Sequence, residues 1–133
     1  LNGMLFGLPV EHVQEVIRYQ HMTPVPLAPS VVSGLINLRG HIVTAVDMRA
    51  RLALPPAEQE PTNVVVRHAE GIVSLLVDEV GDVVEVDEAS FEPPPPTLEP
   101  RMKTLVSGVY KLSSRLLLRL DTERAVQTKE ERP

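Results

Sequence analysis

Cysteine and tryptophan are absent from this chain, and aromatic residues of all kinds make up only 3% of it. Without cysteine there are no disulfides and no thiol chemistry, which fits a reducing cytoplasm. The net charge is −5 and no basic stripe is present, so the sequence argues against nucleic-acid binding. No apolar run reaches the roughly 18–20 residues that span a bilayer, so we expect no direct membrane insertion.

Apolar residues make up 43% of the 133 positions, which is enough for one packed domain. Valine dominates them, and β-branched side chains favour strands. Thirteen prolines against seven glycines indicate many short elements joined by stiff turns. The chain begins at Leu1 with no signal-like segment. We therefore expect that further residues, including most of a first strand, precede it in the natural protein.

Apolar segments separated by turn residues at intervals of about ten positions predict an all-β fold. Strands are expected at 4–10, 41–47, 63–68, 71–77, 83–86, 105–112 and 115–120. Residues 12–18 fit either an extended segment or a helical turn. Short helices are expected from Pro29-Ser30 through Ile36, within 48–54, and from Thr122 to about Thr128 with Asp121 as the cap. The strand at 41–47 is apolar almost throughout, which indicates that both of its faces are covered.

Residues that could carry catalysis are sparse. The four histidines, at positions 12, 21, 41 and 68, show no metal-ligand spacing, and the isolated glycines form no phosphate loop. Acidic residues between Asp78 and Asp87 could serve an enzyme as paired carboxylates, but a charged outer face is the commoner cause of such a cluster. The sequence therefore predicts no enzyme, no catalytic residue, no metal and no cofactor.

The run from Gly34 to Arg49 is the most informative part of the chain. It places one arginine, Arg39, at a turn between two apolar segments. Arg39 could cap helix carbonyls or pair with Asp47 or another carboxylate, which would make it structural. Alternatively, its planar fork projects into a groove and grips a partner. Asn37 could serve only to tolerate a left-handed backbone at a helix end.

Several motifs resemble the CheW family of chemotaxis adaptors over nearly the whole length. The central and most specific one is Val32-Ser33-Gly34-Leu35-Ile36-Asn37-Leu38-Arg39-Gly40. Weaker matches fall in the expected order: Gly7-Leu8-Pro9-Val10, Val13-Gln14-Glu15-Val16, Thr23-Pro24-Val25-Pro26, Val46-Asp47-Met48-Arg49, Val77-Asp78-Glu79-Val80, Phe91-Glu92-Pro93-Pro94 and Val106-Ser107-Gly108-Val109. Thr44 departs from the family, which usually has proline there.

The resemblance implies two small five-stranded SH3-like β-barrels with short helices and no catalysis. The expected division is a CheW-like domain at 1–122, with barrels at about 5–71 and 72–122, followed by a helix or tail at 123–133. The implied partners are the cytoplasmic domain of a methyl-accepting chemoreceptor and the regulatory domain of a CheA-type histidine kinase. A cytoplasmic location, clustered at membrane-associated receptor arrays, follows from these partners.

The resemblance also assigns site residues. One implied group lies at or beside the receptor-binding groove: Val13, Gly34, Asn37, Arg39, Gly40 and Val64. Glu15 is implied to lie nearer the kinase contact. Two other functions stay open at this stage: an adaptor that binds receptor without recruiting kinase, and a regulatory fragment of a CheA-type kinase.

Overall fold

The computed structural model describes residues 4–68 and 71–127. Within these ranges it contains eight strands: β1 (Leu5–Gly7), β2 (Val13–Ile17), β3 (Val32–Leu38), β4 (His41–Asp47), β5 (Thr62–His68), β6 (Gly71–Val77), β7 (Val106–Lys111) and β8 (Leu116–Leu120). Three short α-helices accompany them: α1 (Met48–Arg51), α2 (Pro100–Leu105) and α3 (Thr122–Ala125). The all-β prediction is confirmed, because the fold is built from two sheets.

The larger sheet has five strands in the order β2-β5-β6-β4-β3, which leaves β2 and β3 at its two edges. All neighbours are antiparallel except β4 and β6, which are parallel. After β2 the chain crosses to the far edge, where Thr23 and Leu35 exchange two backbone hydrogen bonds of 2.8 Å. The sheet is thereby closed on itself, in the manner of a small barrel, around an apolar interior: Ile36, Leu38, Val43, Ala45, Val65 and Leu76.

The smaller sheet has the order β1-β8-β7 and packs against the outside of the larger one. The interface between the sheets is the main core, which includes Val46, Val64, Val66, Leu75, Val106, Val109, Leu118 and Leu120. Successive residues of the central strands therefore face different cores, as Val65 and Val66 do on β5. This arrangement confirms the prediction that both faces of β4 are covered.

One predicted helix is wrong, because residues 32–38 form β3. The register of β3 against β4 shifts between Val32 and Gly34, which marks a bulge. A bulge breaks the strict alternation of buried and exposed side chains in a strand. The apolar residues consequently fall at spacings that resemble those of a helix turn. The helix α2, in contrast, was not predicted; it begins at Pro100 with Glu99 as its cap.

The strand predicted at 83–86 is also wrong, since this segment pairs with no strand in the described part of the chain. Val83 and Val84 are exposed. A β-branched side chain favours a strand only when a neighbouring strand pairs with its backbone. The smaller sheet accordingly has three strands among the described residues instead of five, and β6 lies in the larger sheet, beyond the boundary predicted at 71/72.

Two aspartates cap the N-termini of helices in the structure, and the sequence predicted one of them, Asp121. Asp121 accepts a hydrogen bond from the backbone N–H of Arg124 at the start of α3, as the sequence predicts. Asp47 accepts from the N–H groups of Arg49 and Ala50 at the start of α1. Each cap satisfies backbone donors that a helix terminus leaves open. The helix α3 ends at Ala125, before the predicted end near Thr128.

Candidate docking site

The turn between β3 and β4 holds the arginine that the sequence singles out. Leu38 pairs with His41, so Arg39 and Gly40 are the two residues of the hairpin loop. Their φ angles are +51° and +88°, the values of a type I′ turn. The Asn37 Oδ1 accepts a hydrogen bond of 2.8 Å from the Gly40 N–H. The turn is therefore rigid, and it presents an Arg39 side chain that is 66% exposed.

Arg39 forms a bidentate ion pair with Glu15, which lies on β2 at the opposite edge of the larger sheet. Nη1 donates to Oε1 at 3.0 Å, and Nη2 donates to Oε2. Two parallel N–H···O contacts fix the orientation of the guanidinium as well as its position. The pair thus connects the two edge strands of the barrel, in addition to the backbone bridge between Thr23 and Leu35.

The hydrogen bond from Arg39 holds the pKa of the Glu15 carboxyl below its usual value, and the same contact raises the pKa of Arg39. A carboxylate with a lowered pKa stabilises the fold above its unfolded pKa of about 4.3. That contribution is lost as the pH falls through the lower folded pKa.

We expect the stability difference between wild type and Arg39→Ala to be constant above about pH 5.5 and to shrink as the pH falls through the Glu15 titration. Urea unfolding of both proteins at a series of pH values measures this difference. Glu15→Gln serves as the control, because in that background Arg39→Ala should show no such pH dependence. A difference that stays constant down to pH 2.5 or so would contradict the role of this carboxylate.

The other predicted receptor residues occupy two kinds of position. Asn37 and Gly40 are exposed beside Arg39. Val64 is 7% exposed and lies in the core between the sheets, opposite Val16 of β2. Val13 is half-buried and packs against the same core. The structure therefore brings the turn residues and Glu15 together, whereas Val13 and Val64 contribute core packing beneath β2.

Gly34 is buried, and its role is set by a close backbone approach. A Cβ atom built on Gly34 would lie 2.7 Å from the Thr23 carbonyl oxygen and 3.0 Å from the Met22 Cβ. Only glycine leaves room for the crossing segment to pair with β3 at this point. Gly34 thus belongs to the site through the closure of the barrel and presents no side chain to a partner.

The family resemblance implies a receptor contact for Arg39 and a position nearer the kinase contact for Glu15, yet the two side chains are directly bonded. One part of the structural role that the sequence analysis suggested for Arg39 is correct, because Arg39 pairs with a carboxylate. That carboxylate is Glu15 and not Asp47, which caps α1. Even so, the larger part of the Arg39 side chain stays exposed, so the ion pair leaves its remaining N–H groups open to a partner.

A second bidentate ion pair was missed at the sequence level. Arg49 Nε and Nη2 donate to the two carboxylate oxygens of Asp78, both at 2.7 Å, and Nη1 donates to the Pro55 carbonyl at 2.7 Å. The hydrogen bonds that Arg49 donates to the Asp78 carboxylate raise the pKa of Arg49. The only signal in the sequence was that these opposite charges each lie in one of the motifs, Val46–Arg49 and Val77–Val80. This pair fixes α1 to the end of β6.

Two carboxylates of the acidic segment between Asp78 and Asp87 have structural partners. Asp78 is bonded to Arg49, and the side chain of Asp87 accepts from the Ala89 N–H at the start of a 3-10 turn. In the part of the chain that the structure describes, no group of three or more His, Cys, Asp or Glu residues could hold a metal ion. Among the described helices, none has the length and apolarity needed to cross a membrane.

Comparison with known proteins gives one consistent result. The CheW-like domain family matches residues 1–130. The chemotaxis protein CheW of Bacillus subtilis is 31% identical over 132 residues, covering 98% of this chain and 84% of its own length. CheW of Rhizobium meliloti is 29% identical, covering 94% and 82%. The crystal structure of the scaffolding protein TtCheW from Thermoanaerobacter tengcongensis superposes with a TM-score of 0.81 at 30% identity, over 91% of this chain and 84% of that one.

The fold defines a domain of two packed β-sheets, the class of fold that the TtCheW scaffolding protein has. The match over nearly the whole length, together with the shared fold, then fixes the family. The chain belongs to the CheW-like family of chemotaxis scaffolds.

Proposed function

We propose that this domain is a non-catalytic adaptor that couples the cytoplasmic tips of chemoreceptors to the regulatory domain of a CheA-type histidine kinase. The observation that carries the proposal is the type I′ turn of β3 and β4, which holds Arg39 outward at the barrel edge. A preformed turn reduces the ordering entropy that a docking contact must overcome. The family membership supports the same function.

Arg39 and Glu15 give the proposed receptor and kinase contacts a physical connection. Arg39 offers guanidinium N–H groups to carbonyl or carboxylate oxygens of a receptor helix. Glu15 lies on the exposed edge strand β2, whose Val16 is 45% exposed. A partner that docks along β2 therefore meets the carboxylate that orients Arg39. Cytoplasmic arrays beneath the membrane are the proposed location.

The direct test measures the two partners separately. The purified chain is titrated by calorimetry with a receptor cytoplasmic fragment, and then with the kinase regulatory domain. The proposal expects binding to both, and a three-component complex when all are mixed. Binding to receptor alone would identify a variant adaptor that does not recruit kinase. Binding to neither fragment would contradict the proposed function.

A further inference from the structure

Two fully buried polar side chains lie in the apolar interior of the barrel. Asn63 on β5 and Ser74 on β6 are both 0% exposed. The Ser74 Oγ donates a hydrogen bond of 2.7 Å to the Asn63 Oδ1. Asn63 lies opposite Leu76 in the ladder, so Ser74 is its diagonal neighbour and shares the face that Leu76 fills. The polar pair is therefore enclosed by apolar side chains.

This buried pair is not needed to fill the barrel. Burying an amide and a hydroxyl is unfavourable unless both are hydrogen-bonded. Valine and alanine at the two positions would be of comparable size and would bury no polar group. In some proteins a buried polar group is kept because it selects one arrangement of the chain. The further contact of the Asn63 amide shows which arrangement is concerned here.

The Asn63 amide reaches beyond the pair to the end of β2. Its Nδ2 donates a hydrogen bond of 3.2 Å to the Arg18 carbonyl. In the backbone ladder, Asn63 pairs with Ile17, the last residue of β2. The side chain thus adds one hydrogen bond just past the point where the backbone pairing stops. The Gln20 Nε2 donates to the same carbonyl at 3.1 Å in an exposed contact.

Arg18 is the residue at which the chain leaves β2 and crosses to the other edge of the sheet. Further along the chain, Thr23 exchanges backbone hydrogen bonds with Leu35 on β3. Earlier in the chain, on β2 itself, Glu15 binds Arg39 in the turn after β3. The separation of the two edge strands is therefore set by where the crossing segment begins, and a fixed Arg18 carbonyl defines that point.

The ion pair does not provide this restraint by itself. The Arg39 side chain is 66% exposed, so water and salt screen its attraction for Glu15. A bidentate contact also requires both carboxylate oxygens to face the guanidinium fork. The strands must already be held at the right separation for that geometry to form.

We propose that Asn63, oriented by Ser74, is a positioning residue of the Arg39 docking site. Asn63 holds the Arg18 carbonyl and thereby sets the separation of β2 and β3. Only at that separation does Glu15 meet the Arg39 guanidinium with both carboxylate oxygens. Neither Asn63 nor Ser74 reaches the surface, so neither touches a partner. The consequence for receptor binding rests on the proposed function, whereas the positioning of Glu15 does not.

The double variant Asn63→Val/Ser74→Ala removes the pair without leaving one of its polar atoms unbonded. The Arg18 carbonyl keeps its hydrogen bond from Gln20, so the domain should stay folded. Ser74→Ala alone is a milder variant, because it removes only the bond that orients the Asn63 amide.

NMR titration of the Glu15 side-chain carboxyl measures its contact with Arg39. That contact lowers the Glu15 pKa in the wild type, and Arg39→Ala gives the pKa without it. We expect the Glu15 pKa in the double variant to rise by about half of the difference between these two proteins or more. Ser74→Ala should shift it in the same direction by a smaller amount. A Glu15 that titrates in the folded double variant as it does in the wild type would overturn the proposal.

Val109→Ala is the control for general loosening of the domain. Val109 lies on β7 of the smaller sheet and packs in the core between the sheets. Its truncation should lower the melting temperature and leave the Glu15 pKa at the wild-type value. If Val109→Ala raises that pKa as much as the double variant does, Glu15 responds to loss of stability alone and the positioning role is wrong.

Receptor affinity is measured separately on the same proteins. The double variant should bind the receptor fragment about 3- to 10-fold more weakly, a smaller loss than in Arg39→Ala because the guanidinium is still present. If the Glu15 pKa rises and the affinity does not change, the positioning stands and the receptor role proposed for Arg39 fails. A wild type that binds no receptor would contradict the proposed function, and the titration would still decide the role of Asn63.

Discussion

Arg39→Ala should weaken binding of the receptor cytoplasmic fragment by about 5- to 150-fold while the domain stays folded. That range corresponds to the loss of a charge-assisted contact or a moderate interface hot spot. The turn itself should persist, because Asn37 and Gly40 hold it through their own hydrogen bond. Alanine leaves the Glu15 carboxylate in solvent, where it is hydrated. Calorimetric affinity and melting temperature, measured on the same preparation, check this result.

Arg67→Ala is the matched control for this variant. Arg67 lies on β5, is exposed, and donates to the Gln14 side chain on β2. It therefore has the same charge and a comparable polar partner on the same edge of the sheet. Its removal should leave receptor affinity unchanged. Arg39→Lys should restore only part of the affinity, since a point charge lacks the planar fork of the guanidinium.

A double-mutant cycle with Glu15→Gln shows whether Arg39 contacts the receptor itself. If it does, Arg39→Ala should lower affinity in the Glu15→Gln background as well. If Arg39 acts only by ordering β2, Glu15→Gln should reproduce the loss and the second substitution should add nothing. A well-folded Arg39→Ala protein with wild-type affinity would remove Arg39 from the proposed site.

Gly34→Ala should lower the free energy of unfolding by roughly 1–3 kcal/mol, as expected for an overpacked buried position. The added Cβ would lie 2.7 Å from the Thr23 carbonyl oxygen, and a backbone atom cannot turn aside as a flexible side chain can. The bridge between Thr23 and Leu35, which closes the barrel, must therefore stretch or break. Urea denaturation should show a lower midpoint at an unchanged slope.

Gly81→Ala provides the control for this substitution. A Cβ at Gly81 meets nothing within 4 Å, so the stability should change by no more than about 0.5 kcal/mol. Gly34 presents no side chain to a partner, so Gly34→Ala should lower receptor affinity only by disrupting the Thr23–Leu35 bridge that closes the barrel. A Gly34→Ala protein as stable as wild type would show that the close approach does not constrain this position.

Much of the fold could be predicted because its causes are local or periodic. The continuous apolar run of β4 reports that both faces are buried, since β4 lies between β6 and β3 with a core on either side. Likewise, the hairpin of β7 and β8 is signalled by two apolar runs around Ser113-Ser114, and Asp121 caps α3 from the adjacent position. Such signals depend on neighbours within a few residues, so they can be recognised in the sequence without the tertiary structure.

The bulge in β3 and the unpaired segment at 83–86 could not be predicted in this way. A bulge moves apolar residues out of the strand period, and its presence depends on the register against another strand. At 83–86 the valines have the composition of a strand, but composition cannot supply a backbone partner. Both errors arose because strand formation is decided by pairing and not by propensity alone.

Some features of the candidate site could likewise be predicted from the sequence, and others could not. The sequence by itself determined that Arg39 would stand at a turn, because Arg39 and Gly40 separate two apolar segments. Only the tertiary structure decided that Glu15, 24 residues away, is its partner, and that Asp78 pairs with Arg49 from a distance of 29 residues. The pairing of Arg39 depends on how the sheet curls and where its edge strands meet, and that of Arg49 depends on β4 lying beside β6. That geometry results from the packing of the two cores, which no short stretch of the chain encodes.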